Sequence, residues 1–188
     1  MYRLQVGTNQ AMDIEESKYT RVEYERRFVV LPQADWRSAV EPYSKTFEDK
    51  YLRHARLRLR ILTDSDTGRR IIKLTKKFES ASPYFQTISR ILLSPSEHDL
   101  LDNLEGDRLK KIRHYHNYRH RVFSIDVFEG QLDGLILCEI EAEGIEELMS
   151  AEPPPYVKYE VTEDAFFTGG NLCRATRAQL LHKLGTAD

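Results

Sequence analysis

Apolar and charged residues alternate strictly through most of this chain. The pattern is clearest at Ala55-Arg56-Leu57-Arg58-Leu59-Arg60-Ile61-Leu62, where Leu57, Leu59 and Ile61 face one way and Arg56, Arg58 and Arg60 the other. Successive side chains of a strand point to opposite faces, so this alternation predicts a half-buried strand. Val22–Val30 reads the same way. Glu23, Glu25 and Arg27 share one face, and Val22, Tyr24, Arg26 and Phe28 share the other. In Cys138-Glu139-Ile140-Glu141, two carboxylates again share a face.

The same reading assigns the remaining elements. Strands are expected at about 21–30, 46–54, 55–62, 71–77, 84–93, 108–117, 120–129, 135–143 and 159–161. The turn Asp64–Gly68 joins two of them into a hairpin. In the strand that follows it, Lys73 and Lys77 share a face opposite Ile72 and Leu74. Residues 33–41 suggest a short helix with Trp36 and Val40 on one side. Ser94, Pro95 and Glu97 form a capping-box signature for a helix ending near Gly106. Another short helix is expected over 145–150. Asn171 is a candidate cap for a helix to Leu184, stopped by Gly185. Strands outnumber helices and most are hairpin-linked. The class is α+β, an antiparallel β architecture with enough strands to close an eight-stranded barrel flanked by helices.

Composition adds limits. The 188 residues fit one domain, read here as a tail or arm over 1–20 and a single domain over 21–188. A net charge of -2 forces no uniformly basic face, so no nucleic-acid partner is required. Two cysteines are too few for a disulfide framework, and Cys138 reads as a buried thiol. No signal-peptide pattern and no membrane-length apolar run is present, so the expected location is the cytoplasm, with no membrane partner. Homodimerisation is left open.

Charge is unevenly shared among the strands. Arg58, Arg60, Lys73, Lys77, Lys111 and Arg113 concentrate on some, and Glu23, Glu25, Asp126, Glu139 and Glu141 on others. Solvated faces of half-buried antiparallel strands account for either acidic pair alone. A barrel that turned these faces inward would have a cationic and an anionic wall. Buried unpaired charge costs several kcal/mol per ion, so such a tunnel needs an occupant. A polyphosphate with a hard divalent metal satisfies both walls. His114-x-His116 could bind zinc, but two surface histidines on a hairpin are the simpler reading.

The motifs, taken in order, bring a family into view. Glu23-x-Glu25-x-Arg27 resembles the Glu-x-Glu-x-Lys signature of the CYTH domain, or triphosphate tunnel metalloenzyme, superfamily. Arg58-x-Arg60, Leu74-Thr75-Lys76-Lys77, Lys111-x-Arg113, Ile125–Gly130, Glu139-x-Glu141 and Glu160–Asp164 resemble its later motifs, in the same sequence. The resemblance covers about residues 21–175. It implies an eight-stranded tunnel, a triphosphate-containing small molecule as substrate, and Mg2+ or Mn2+ as cofactor. It implies a metal set of Glu23, Glu25, Glu139 and Glu141 and a phosphate-binding set of Arg58, Arg60, Lys73, Lys111 and Arg113. Arg27, Lys77 and Asp126 take the catalytic positions. The implied activity is metal-dependent triphosphate hydrolysis. The alternatives are a polyphosphate- or nucleotide-binding protein and a class IV-type adenylate cyclase. The chain departs from the family pattern at Arg27, at Ala165 and Phe167, and on the strand over 84–93. There an Arg-x-Glu-x-Glu run is matched to Phe85, Thr87 and Ser89.

Overall fold

Alternating segments with one charged and one apolar face need two environments, and a closed sheet supplies both. In the computed structural model, which describes residues 19–185, nine strands form one antiparallel sheet. The tail or arm expected over 1–20 lies outside the described residues, except Tyr19 and Thr20. The strands are β1 (Thr20–Val30), β2 (Ser44–Leu52), β3 (Leu57–Asp64), β4 (Arg70–Lys77), β5 (Phe85–Leu93), β6 (Gly106–Tyr118), β7 (Arg121–Phe128), β8 (Ile136–Ala142) and β9 (Val157–Glu160). The helices are α1 (Pro95–Asp102), α2 (Ile145–Met149), α3 (Gly169–Leu172) and α4 (Arg177–Leu184). Strand order is β5-β4-β3-β2-β6-β7-β8-β1-β9, and a further β5–β1 pairing closes the first eight into a barrel. The expected α+β class and eight-stranded antiparallel barrel are what the chain forms.

β1 divides one of its edges between two partners. Thr20–Tyr24 pair with Ser89–Phe85, whereas Phe28–Val30 pair with β9 outside the barrel. Between them the Glu25 N–H donates to the Tyr84 carbonyl at 2.9 Å. Its other edge pairs with β8 from Tyr24 to Val29. The contact between β1 and β5 therefore covers only the first part of β1, and a seam opens beyond it.

Register decides which face is inside, because directly opposed residues share a face. Glu25 lies opposite Glu141 and Arg27 opposite Glu139. Asp49 lies opposite Arg60, Arg60 opposite Lys73, and Arg113 opposite Asp126. All these charged groups turn inward. The apolar alternates turn outward and are covered. Phe28, Val30, Phe123, Ile125, Ile136, Cys138 and Ile140 pack with Trp36, Leu148 and Ala151. Each large apolar side chain so buried contributes about 1.5–3 kcal/mol. A second cluster closes one end of the barrel from within. There Val29, Leu109, Phe128 and Leu137 meet Phe167, Leu172 and Leu180 of the C-terminal segment.

The helices follow their caps. α1 has the expected capping box at Ser94 and Glu97, but ends at Asp102, and Gly106 already belongs to β6. The helix expected over 33–41 is only a 3-10 turn at Arg37–Ala39. Trp36 is buried in the outer core, and one i, i+4 pair does not sustain a helix. The single helix expected from Asn171 to Leu184 is two. Thr176 restarts the chain with its own capping box: its Oγ1 accepts from the Gln179 N–H, and Gln179 Oε1 accepts from the Thr176 N–H at 2.8 Å. Gly185 ends α4 at φ 70, as expected of a left-handed cap.

Candidate functional site

The inward charge surrounds two connected spaces. An inner cavity of ≈ 70 Å³ lies in the barrel. An outer cavity of ≈ 640 Å³ opens at the seam, between the 80–86 segment, the start of β3, and the 162–174 segment. The two share Glu23, Glu25, Arg27, Tyr51, Arg58, Lys77 and Gly169. That junction is the candidate site.

Its electrostatics favour an anion. Arg27, Arg58, Arg60, Lys77, Arg90, Lys111 and Arg113 line the inner cavity against Glu23, Glu25, Asp49, Glu139 and Glu141. Asp126, fully buried behind Lys111 and Arg113, adds one more carboxylate and still leaves the bases in excess. Most of these bases are committed. Arg60 grips Asp49 with two hydrogen bonds of 2.5 and 2.6 Å. Burial alone would raise the Asp49 carboxyl, but Arg60 and Arg58 outweigh it and hold the pKa at about 2. Arg113 makes two 2.6 Å bonds to Asp126 and one of 2.5 Å to Glu139, and Lys111 also pairs with Asp126. Arg27 sits 2.7 Å from Glu25 and 3.5 Å from Glu139. Phe47 lies beneath three of these cations, 4.5 Å from the Arg60 guanidinium, 5.1 Å from that of Arg113 and 5.9 Å from the Lys111 ammonium.

Arg58 and Lys77 differ. Neither makes a salt bridge among the described residues. Arg58 is buried and reaches the Tyr51 hydroxyl, while its Nε has no partner. Burial lowers the Lys77 ammonium to about 8, helped by the like charge of Arg58 and opposed by Glu25. These two cations at the junction are free to meet a ligand. Tyr51 is held close by Gly169, where a Cβ would collide with the Tyr51 hydroxyl.

The acids are less uniform than the sequence suggests. Burial raises the Glu25 carboxyl, and the neighbouring Glu139 raises it further against the pull of Arg27. Burial also opposes the charge on Glu139, but Lys111, Arg113 and Arg27 hold its pKa well below the usual range. The two carboxyls are within hydrogen-bond contact. Glu23 is shared between Arg21 and Arg90, and Glu141 is exposed at the cavity edge. Among the described residues no three carboxylates, histidines or cysteines form a ready-made metal cluster. The donor chemistry nonetheless suits a hard cation: Glu25 and Glu139 are adjacent oxygen donors, and Glu25 is the one that gains most from another positive charge.

The structure thus brings Glu23, Glu25, Arg27, Arg58, Arg60, Lys77, Lys111, Arg113, Glu139 and Glu141 to one cavity. Lys73 shares the inner face but lines neither space. Asp126 lies behind the lining and positions Lys111 and Arg113. The inner face of β5 needs a correction. Gln86 lies opposite Glu23, and Arg90 opposite Thr75, so Gln86, Ile88 and Arg90 point inward, not Phe85, Thr87 and Ser89. Either way β5 brings no carboxylate inside. Sequence reading missed Phe47, Asp49 and Tyr51, because the inner face of β2 mixes aromatics with Asp49 while Glu48 and Lys50 lie on the other face, so neither face stands out as the charged one. It missed Arg90 for want of register. The histidine pair is structural: His114 packs on Trp36, and His116 Nδ1 lies 2.9 Å from the Tyr156 hydroxyl.

No protein-family model and no curated protein matches the chain. Solved structures do. A crystal structure of NE1496, there called a hypothetical protein, aligns at 25% identity and TM-score 0.54, covering 82% of this chain and 99% of its own. A second, which names NE1496 an inorganic triphosphatase, aligns at 23% identity and TM-score 0.54, covering 81% and 95%. PH1819 from Pyrococcus horikoshii OT3 aligns at 20% identity and TM-score 0.49, covering 68% and 82%. The chain thus shares with the NE1496 structures a closed eight-stranded antiparallel barrel fold.

Proposed function

We propose that this chain hydrolyses a small triphosphate in the cytoplasm, with Mg2+ or Mn2+ as cofactor. The observation that carries this reading is the junction of the two cavities. Arg58 and Lys77 stand there without carboxylate partners, inside a lining with excess positive charge. A flexible polyanion is the ligand that such a site retains. The inorganic triphosphatase name of the second NE1496 structure agrees with it. Among the described residues no helix is long and apolar enough to cross a membrane.

In this reading Arg58, Lys77 and Arg27 hold phosphoryl oxygens and the charge that builds on them during reaction. Lys111, Arg113 and Arg60 act from beneath, kept in place by Asp126 and Asp49. Glu25 and Glu139, with Glu23 and Glu141 at the edges, are the residues that would hold the cation. A bound divalent ion supplies charge neutralisation and a more acidic water. Water attacks the terminal phosphorus as the bridging P–O bond breaks, and phosphate, diphosphate and a proton leave. A phosphate-release screen over tripolyphosphate, ATP and thiamine triphosphate, with each metal, tests the reading. Release from at least one substrate that disappears on chelation is expected. No release from any of them would leave the second reading, a binding protein, which the lack of carboxylates on the inner face of β5 favours.

Lys77 gives the site a pH dependence. With its pKa at about 8, it is charged below that pH and neutral above it. Triphosphate affinity should therefore fall as pH rises through 8, and binding near pH 8 should take up a proton, because the bound anion favours the ammonium. Calorimetry in buffers of different ionisation enthalpy measures that uptake. Lys77→Arg should remove it, since guanidinium stays charged throughout. Equal uptake in the variant would assign the step to another group.

A further inference from the structure

The two connected spaces are unequal, ≈ 70 Å³ inside the barrel and ≈ 640 Å³ at the seam. The inner one has room for only a few water-sized groups. Internal ion pairs keep it small. Asp49 occupies the fork of Arg60, Asp126 and Glu139 occupy that of Arg113, and Glu25 meets Arg27. This space takes one end of a triphosphate, not the whole of it. The remainder of the substrate stays in the outer cavity, so the lining there decides what that remainder is.

The outer cavity changes character away from the junction. Past the charged groups that it shares with the inner space, its charged lining is Arg56, Glu163 and Arg174. Arg56 lies 2.9 Å from Glu79, Arg174 donates to Asn171 Oδ1 at 3.1 Å, and Glu163 accepts from the Tyr84 hydroxyl at 2.9 Å. With Glu79 counted, two cations stand beside two anions, and this part has no net charge. A bare polyphosphate gains little from a neutral wall. Leu52, Leu57, Pro83, Tyr84, Phe85 and Ala165 give the wall apolar surface. Phe85 is 39% exposed, with its ring centre 5.9 Å from that of Tyr24. Aromatic surface left open beside a cavity is surface that a ligand ring can cover. The volume is also in the range of sites that enclose a small organic molecule, about 300–1,000 Å³.

We propose that the substrate is a triphosphate ester carrying an aromatic heterocycle, whose phosphoryl end meets Arg58 and Lys77 while its ring lies in the outer cavity against Tyr84 and Phe85. Tyr84 and Phe85 are then the residues that set specificity. Glu163 is the one carboxylate lining this part among the described residues. It favours a ring with an amino group or a positive charge, since a carboxylate only accepts hydrogen bonds. Nucleoside triphosphates and thiamine triphosphate share that chemistry. The inference deepens the triphosphate reading of the tunnel and rests on it.

The test is calorimetric binding to the full chain, without metal, of four probes: ATP, thiamine triphosphate, methyl triphosphate and tripolyphosphate. Methyl triphosphate keeps the ester and lacks the ring. ATP or thiamine triphosphate should bind about tenfold more tightly than both ring-free probes, the equivalent of one good aromatic contact. Which of the two it is separates a nucleotide from a thiamine ligand. Tyr84→Ala should bring the preferred ligand down to methyl triphosphate and leave tripolyphosphate unchanged. Tyr84→Phe keeps the ring and should keep the preference. Phe85→Ala, at an exposed position, makes the same comparison even if Tyr84→Ala fails to fold. Ring-free probes that bind as tightly as ATP and thiamine triphosphate would overturn the proposal. So would a full preference that survives in every alanine variant that folds. Phosphate release separates this claim from the hydrolase. A ring preference in binding, with no release under any metal, keeps the ring site and overturns the hydrolase. Release from tripolyphosphate with no ring preference keeps the hydrolase and overturns the ring site.

Discussion

Asp126→Ala is expected to destabilise the barrel by about 3–5 kcal/mol, the usual cost of removing one partner from a buried ion pair. Asp126 is fully buried and carries two bases, Lys111 and Arg113, on its two oxygens. Its loss leaves Lys111 without a salt-bridge partner and Arg113 with Glu139 alone. Lys111 is buried and Arg113 largely so, and water cannot replace the carboxylate without opening the wall. For a chain of this size the melting temperature should drop by about 6–20 °C. Asp126→Asn, which keeps the shape and some hydrogen bonds, should lie between the two proteins. Urea denaturation of the three decides the matter. An alanine variant within about 1 kcal/mol of the parent, the range of an exposed pair, would show that Asp126 is not the keystone of the basic wall.

Arg58→Met should do the opposite: spare the fold and disable the site. Arg58 has no salt bridge to lose among the described residues, and its methionine replacement fills similar space. A charge-assisted contact contributes about 1.5–3 kcal/mol, so tripolyphosphate affinity should drop about tenfold to 150-fold. Turnover should drop at least as much, because the same guanidinium meets charge that grows during reaction. Arg113→Met makes the contrast. That arginine is bound to Asp126 and Glu139, and its loss should appear first as lower stability. Melting curves read beside binding isotherms distinguish the two. An Arg58→Met protein that binds tripolyphosphate like the parent would remove the main support for the junction as a phosphate site.

The inward charge was legible because it follows the simplest periodicity a chain has. Arg58 and Arg60, Glu23 and Glu25, or Glu139 and Glu141 sit two apart, and any strand through them must place each pair on one face. What alternation does not carry is the identity of the neighbour across the sheet. That Arg60 spends itself on Asp49 while Arg58 stays free depends on how β2 pairs with β3. β5 shows the same limit from within one strand. Ile88 faces the charged interior, whereas Ile91 and Leu92 are exposed, so neither face reads as the inside. The C-terminal helix is two for a local reason: Thr176 and Gln179 form a second capping box inside the span that Asn171 and Gly185 bracket.

The divided edge of β1 also sets an order of events during synthesis. β1 precedes the other described strands in the chain, yet its partners are Phe85–Ser89, then Leu137–Ala142, and last Val157–Glu160. Hairpins such as β3–β4 and β6–β7 join neighbours in sequence and can form as they emerge. β1 must wait, because distant pairings form slowly against the entropy of closing the intervening chain. Until then Glu23, Glu25 and Arg27 face water with the rest of the strand. The β1 half of the acidic wall, Glu23 and Glu25, precedes the rest of the site in the chain and is paired on both edges only after β8 is made. A chain cut short before β8 would hold most of the basic wall and only part of the acidic one.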